Sequence, residues 1–242
     1  MKNARLKRMI KSIVDFILLP VCPICNCPVD ETNMVCAHCF KELHFITKPY
    51  CQKCGKPFEF DIKGDGVCAG CLKKNPPYRM ARSVLVYNEG VKKLVLPFKH
   101  ADRTDLTGVL CQFLLKEYKS LIMDADVIIP VPLHITRLFL RRYNQSALLA
   151  HRLAKVTHRR FEPSVLKRTR ATPSQGHMNT KQRELNVHKA FAISNPKKIE
   201  NKKVLLIDDV MTTGATVCEC SKVLLKAGAS HVDVLTLCRV KH

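Results

Sequence analysis

The sequence predicts an α/β protein: a mostly parallel sheet flanked by helices, preceded by a small cysteine-rich module. Three observations carry that expectation. Strand-like apolar runs alternate with helical stretches from residue 83 onward, the pattern of a parallel α/β sheet. Nine of the 13 cysteines lie between Cys22 and Cys71. Between the two regions stands Asn75-Pro76-Pro77-Tyr78, and paired prolines continue neither a helix nor a ladder. The expected division is a helix over residues 1–20, the cysteine-rich module over 21–75 and the α/β domain over 82–242. With 242 residues, 46% of them hydrophobic, the chain has the material for a packed core, which excludes global disorder.

The first twenty residues carry a basic head and an apolar stretch in which Ile10, Ile13, Val14, Ile17 and Leu18 share a helical face. Asp15 interrupts the stretch, Pro20 ends it and no small-residue cleavage site follows, so it reads as a docked helix and not as a secretory signal. It is too short and too charged to span a bilayer, and nothing else reaches that length. The expected location is cytoplasmic.

Four Cys-x-x-Cys pairs follow: Cys22-Cys25, Cys36-Cys39, Cys51-Cys54 and Cys68-Cys71. Such a turn aims two thiolates at one point, and two turns complete a tetrahedral zinc site. Disulfides are the rival reading, disfavoured in a chain without an export signal. Four sulfur ligands leave no open coordination position, so one or two structural zinc ions are expected, replacing a core that so short a segment cannot build. Sequential pairing gives Cys22, Cys25, Cys36, Cys39 and Cys51, Cys54, Cys68, Cys71; a cross-braced arrangement stays open. Cys27 reads as a bystander, and Cys111, Cys218, Cys220 and Cys238 as small buried hydrophobes.

In the α/β part, SVLVYN reads as a strand, VKKLVLPFKH and DLTGVLCQFLLKEYKSL as helices, and DVIIPV as a buried strand. QSALLAHRLAKV reads as a helix, KAFAI as a strand, KVLLID as a buried strand, ATVCECSKVLLKAG as a helix ending at Gly228, and HVDVLTLCRV as the closing strand. The most informative stretch is VLLIDDVMTTGAT, residues 204–216. Its apolar strand places Asp208 and Asp209 at a carboxyl end, where open α/β sheets bind ligands. Carboxylates accept hydrogen bonds from sugar hydroxyls. Thr212, Thr213 and Thr216 offer hydroxyl donors, Gly214 permits close backbone approach, and the helix that follows presents free N–H groups to a phosphate. It is neither a P-loop nor a dinucleotide fingerprint, lacking Gly-Lys-Ser/Thr and Gly-x-Gly-x-x-Gly.

This stretch resembles the phosphoribosyl pyrophosphate (PRPP) signature of type I phosphoribosyltransferases. The resemblance implies that fold over residues 82–242, ribose hydroxyls on Asp208 and Asp209, a 5′-phosphate on the loop of Met211, Thr212, Thr213, Gly214, Ala215 and Thr216, and Mg2+ travelling with the pyrophosphate. Further segments narrow it. VIIPVP, residues 127–132, precedes Arg137, Arg141, Arg142, Tyr143, Asn144 and Gln145. Residues 87–99 form a hood-like segment ending Leu-Pro-Phe-Lys, and LKRTR leads through Gln175 to KQRELN. With the cysteine block, these are similar to the ComF family (ComFC or GntX-like proteins) over nearly the whole chain. That similarity implies a double zinc ribbon fused to a phosphoribosyltransferase-like domain, with Arg137, Arg141, Arg142, Asn144 and Gln145 forming the pyrophosphate-side basic loop. It also implies that residues 169–183, with Arg170, Gln175 and Arg183, form a closing lid. Where the family usually has Arg-Gly-Phe-Asn-Gln, this chain has Arg141-Arg142-Tyr143-Asn144-Gln145, which changes the loop's backbone freedom and adds a charge.

The family is linked to natural transformation, which implies single-stranded DNA and the DNA-uptake machinery as partners. Charge points the same way. The 41 Lys and Arg against 20 Asp and Glu give a net +21, and residues 137–170 hold ten cations, more than a pyrophosphate can use, so a polyanion footprint is expected. Three functions stay open: a PRPP-binding DNA-handling factor, an active phosphoribosyltransferase with an unknown acceptor, and a PRPP-sensing regulator.

Overall fold

The computed structural model describes residues 19–60, 66–172 and 178–241. The expected helix over 1–20 therefore lies outside the described residues, save Leu19 and Pro20.

Five parallel strands form the sheet: β1 (Ala81–Val86), β2 (Val127–Pro130), β3 (Arg160–Phe161), β6 (Lys203–Met211) and β7 (His231–Arg239), in the order β1-β7-β6-β2-β3. A separate antiparallel pair joins β4 (Leu166–Arg168) to β5 (Phe191–Ile193). The run Val204-Leu205-Leu206-Ile207 is apolar at every position because both faces of a central strand are covered. Leu205 and Ile207 face a core built with α3 (Glu89–His100), α4 (Thr107–Asp124) and α6 (Gln145–Thr157). Val204 and Leu206 face a second core with α8 (Ala215–Lys226) and the β4–β5 pair. β6 pairs with β2 on one side, Val127 opposite Val204, and with β7 on the other, Ile207 opposite Leu235.

The cysteine module holds two copies of one turn. Cys22 donates its N–H to Cys27 and Asn26 donates to Cys22; Cys51 donates to Lys56 and Gly55 donates to Cys51. Asn26 and Gly55, each just after its second cysteine, both adopt left-handed backbone, with φ of 61° and 69°. Two short helices complete the copies, α1 (Ala37–Lys41), capped by the Cys36 sulfur, and α2 (Ala69–Lys74), which begins just after Cys68. The module straddles the sheet at β1. Cys22 and Cys39 belong to the first core, Cys51, Cys54 and Cys71 to the second. Along β1 itself, Ile46 donates to Val84 and Val86 donates to His44, both at 2.8 Å. An edge that would template foreign pairing is thereby closed.

Several local features depart from the sequence expectations. The end of the Asn75–Tyr78 segment is packed: Tyr78 is 1% exposed, and the next residue, Arg79, donates its N–H to Val232. Residues 135–141 form a helix, α5 (Ile135–Arg141), that buries none of its side chains, so no periodic apolar stripe announced it. The final residues of the expected lid begin α7 (Thr180–Val187), whose capping box pairs Asn179 with Gln182. α4 is broken at Tyr118, where φ is −130° and ψ 31°.

Candidate functional site

The acid pair stands at the carboxyl end of β6. Ser146, in the first turn of α6, donates its hydroxyl to Asp208 Oδ1 at 2.9 Å, and the Asp209 N–H donates to the same oxygen at 2.9 Å. Lys99, at the end of α3, lies 3.1 Å from Asp209 Oδ2. The two carboxyls thus have different environments. Burial, then the neighbouring Asp209 charge, pushes the Asp208 carboxyl up to about 7, against the pull of the Ser146 hydroxyl. Burial disfavours the Lys99 ammonium, but the Asp209 carboxylate outweighs that and leaves its pKa raised. One group is poised to titrate near neutrality, the other is held as half of an ion pair.

Beyond the acids the chain turns at Gly214, whose φ of 81° is the left-handed conformation that favours glycine. Thr213 Oγ1 accepts from the Ala215 N–H at 3.4 Å, and α8 begins there. The residues of the phosphate-type loop, Met211 to Thr216, therefore stand at a helix N-terminus beside two carboxyls, an arrangement able to hold a phosphorylated sugar.

α5 carries Arg137 and Arg141. Arg137 donates to the Thr172 carbonyl at 3.0 Å; its burial and the Arg141 charge both lower its pKa, so the two guanidiniums repel in the absence of an anion. Asn144 and Gln145 face the scaffold. Asn144 caps α6 through Ser146 N and donates to the Val131 carbonyl at 3.0 Å, while Gln145, 1% exposed, donates to the Lys99 carbonyl at 3.2 Å. They fix the β2–α5 loop and Lys99 relative to the acids. Arg142 is exposed, pairs with Asp102 at 3.1 Å, and has φ of 63° and ψ of −22°. The left-handed conformation is thus kept where the family pattern has glycine.

Of the lid residues, Arg170 donates to the His188 carbonyl at 2.7 Å and Arg183 to the Met178 carbonyl at 2.8 Å. Both are engaged with backbone, and Gln175 lies outside the described residues. Arg168 sits closer to the acids. Burial and the Arg137 charge lower its pKa, Asp208 raises it, and its guanidinium lies 5.4 Å from the Phe191 ring centre. Lys99, Ser146 and Arg168 are the residues that sequence reasoning left out of the site. Lys99 ends the quoted Leu-Pro-Phe-Lys run and Arg168 lies in LKRTR, but nothing in either run shows which acid it faces.

The cysteines gather as the sequential pairing has them: the sulfurs of Cys22, Cys25, Cys36 and Cys39 lie within 4.8 Å of one another, as do those of Cys51, Cys54, Cys68 and Cys71. A Zn–S bond of ~2.3 Å in a tetrahedron implies sulfurs ~3.8 Å apart; Cys25 and Cys36 are 3.6 Å apart and Cys54 and Cys68 3.8 Å. Both sets fit a closed structural zinc. Cys27, whose sulfur accepts from the Cys25 thiol at 3.3 Å, stands just outside the first set. Among the described residues no helix is long and apolar enough to cross a membrane.

Comparison with known proteins finds a zinc-ribbon type and a transferase type of domain. A double zinc ribbon domain matches residues 13–77 and a phosphoribosyl transferase domain residues 146–242. The chain is 30% identical over 225 residues to the DNA utilization protein YhgH of Escherichia coli K12, covering 90% of this chain and 96% of that one. It is 30% identical over 213 residues to competence protein F of Haemophilus influenzae, covering 86% and 91%. To competence protein ComFC of Bacillus subtilis it is 27% identical, covering 85% and 84%. An orotate phosphoribosyltransferase from Aeropyrum pernix aligns over 65% of this chain and 68% of its own at 17% identity and a TM-score of 0.37, a likeness too low to carry an argument.

Proposed function

From the premise that this chain belongs to the ComF family, that of competence protein F and ComFC, we propose that it binds Mg-PRPP and acts in the cytoplasm on incoming single-stranded DNA during competence. The observation that carries the PRPP half is the acid pair running into a Gly214-hinged loop at the α8 N-terminus. In this reading Asp208 and Asp209 accept the ribose hydroxyls. Thr212, Thr213, Thr216 and the free N–H groups of α8 hold the 5′-phosphate, and Arg137 and Arg141 take the pyrophosphate with its Mg2+. The pyrophosphate relieves their mutual repulsion. The DNA half rests on the net charge of +21 and on the family. DNA-uptake proteins are the expected protein partners.

Anisotropy of a labelled single-stranded oligonucleotide, titrated across salt with and without Mg-PRPP, tests the DNA half. The expected result is binding that persists near physiological salt, with a log–log slope of about −0.7 per phosphate contacted. Binding no tighter than weak nonspecific attraction would leave a small-molecule phosphoribosyltransferase, a reading that rests on the intact acid pair and loop. For the PRPP half, replacing both Asp208 and Asp209 by Ala should abolish Mg-PRPP binding in calorimetry while the fold persists; unchanged affinity removes the acids from the site.

A further inference from the structure

One difference between the two copies of the cysteine turn is a thiol. Cys54 is followed by Gly55-Lys56-Pro57, and Cys25 by Asn26-Cys27-Pro28. The backbone is the same in both. Cys51 donates to Lys56 as Cys22 donates to Cys27, and Tyr50 bridges to Pro57 as Val21 bridges to Pro28. Lys56 therefore occupies the place of Cys27, and the turn closes there without a thiol. Four sulfurs already complete each tetrahedral zinc site, so Cys27 is required neither for the turn nor as a ligand.

Its sulfur nevertheless lies 3.3 Å from that of Cys25, closer than the ~3.8 Å between two ligands of one tetrahedral zinc. Cys25 is the exposed member of the first set, while Cys22 and Cys39 are buried. In the second set Cys51, Cys54 and Cys71 are buried and Cys68 is half-buried. The first cluster thus has an exposed ligand with a surplus thiol against it. The second has no exposed ligand and no fifth cysteine in its turn.

We propose that Cys25 and Cys27 are a redox modification site: hydrogen peroxide joins them in a reversible disulfide, and zinc leaves the first cluster alone. The Cys25 thiolate attacks a peroxide oxygen, the O–O bond breaks, and the departing hydroxide takes a solvent proton to become water. Cys25 is then a sulfenic acid. The Cys27 sulfur attacks it, the S–S bond forms, the S–O bond breaks, and hydroxide leaves as water with the Cys27 proton. The two sulfurs give up two electrons and one peroxide receives them. Closing the bond needs an approach from 3.3 Å to ~2.05 Å. The zinc, left with three thiolates, is released. The effect reaches the α/β domain through Glu42, which follows α1. Its carbonyl accepts from the Asn88 side chain at 3.0 Å, and its carboxylate pairs with Lys93 at 2.7 Å. Asn88 caps α3 and Lys93 lies within it, and the same helix carries Lys99 to Asp209. The inference uses the zinc assignment and is independent of the PRPP and DNA readings.

The test treats zinc-loaded full-length protein with excess hydrogen peroxide. A chromogenic chelator follows zinc release, and mass spectrometry after alkylation maps the disulfides. Cleavage at Asp30 separates Cys25 and Cys27 from Cys36 and Cys39. Wild type should lose one of its two zinc ions, gain a Cys25–Cys27 disulfide, and take zinc back after a dithiol reductant. Cys27→Lys repeats the residue of the second turn and should bind both ions before treatment; Cys27→Ser guards against an effect of the lysine itself. In both variants Cys25 lacks its partner and should climb to sulfinic acid, so the reductant should fail to restore the lost zinc. A disulfide between Cys25 and Cys36, with Cys27 alkylated, would overturn the proposal. So would equal loss of both ions, retention of both under peroxide, or full recovery of zinc in the two variants.

Discussion

At the scale of single residues, the acids illustrate what a sequence shows and what it withholds. Asp208 and Asp209 were legible because two carboxylates after a buried strand have few structural uses. That they differ was not legible, since the difference comes from Ser146 and Lys99, brought in from 62 and 110 positions away along the chain. The consequence is a pH dependence of defined sign. The Asp208 carboxyl is pushed up to about 7, against an ordinary value of about 3.9. Between these values the folded state keeps a proton that the unfolded chain has released. Stability from this group is thus full below about pH 4, falls as pH rises through the window, and is lost above about 7. Asp208→Asn should melt like wild type near pH 4 and be more stable than it near pH 8. Mg-PRPP affinity of the wild type should rise from about pH 6 to 8 as the acceptor carboxylate forms, and be weak and flat in the variant; identical profiles would place the titration elsewhere. Arg142 gives a second residue-scale prediction. A non-glycine residue at φ of 63° is strained by about 1 kcal/mol, and its exposed pair with Asp102 returns little. Arg142→Gly should raise the melting temperature by about 2–4 °C; a fall would mean that the ion pair outweighs the strain.

At the scale of elements, legibility followed periodicity. β2, β6, β7, α6 and α8 were readable because each buries a face or a whole run, and burial writes a pattern into sequence. α5 was not, because with no buried residue it has no stripe to read. β3 and β4, of two and three residues, are too short for a period. The cysteine module was readable as a metal module but not in its pairing, because Cys-x-x-Cys fixes only the local turn. The structure resolves that ambiguity by placing each turn beside the helix that follows it. A double substitution separates the two arrangements in solution. Cys25→Ser with Cys39→Ser removes two ligands from one set of the sequential arrangement, so metal analysis should find zinc falling from two per chain to one. Cross-braced ligation would lose both ions, because each site would then miss a ligand.

At the scale of the whole molecule, the boundary drawn at residues 75–82 divides the sequence but not the structure. Composition changes there, so two units are what a sequence shows. The contacts run across it: residues 44–46 pair with β1, Lys53 accepts from Ala81, and Arg239 ties β7 to both Cys54 and Met211 at the head of the phosphate-type loop. Each cysteine cluster also joins a different core of the sheet. If the metals organise the module, removing them exposes the β1 edge and releases Arg239, so the loss should reach the transferase-like domain. Hydrogen exchange on chelator-treated protein should show protection lost in the Cys51–Cys71 region and also in β1 and the end of β7, with a single thermal transition at lower temperature. Deprotection confined to residues 20–75, with β1 and β7 unchanged, would show instead that the sheet holds its edge unaided. The zinc ribbon would then be an appendage, and Arg239 would need no cysteine carbonyl to stay where it is.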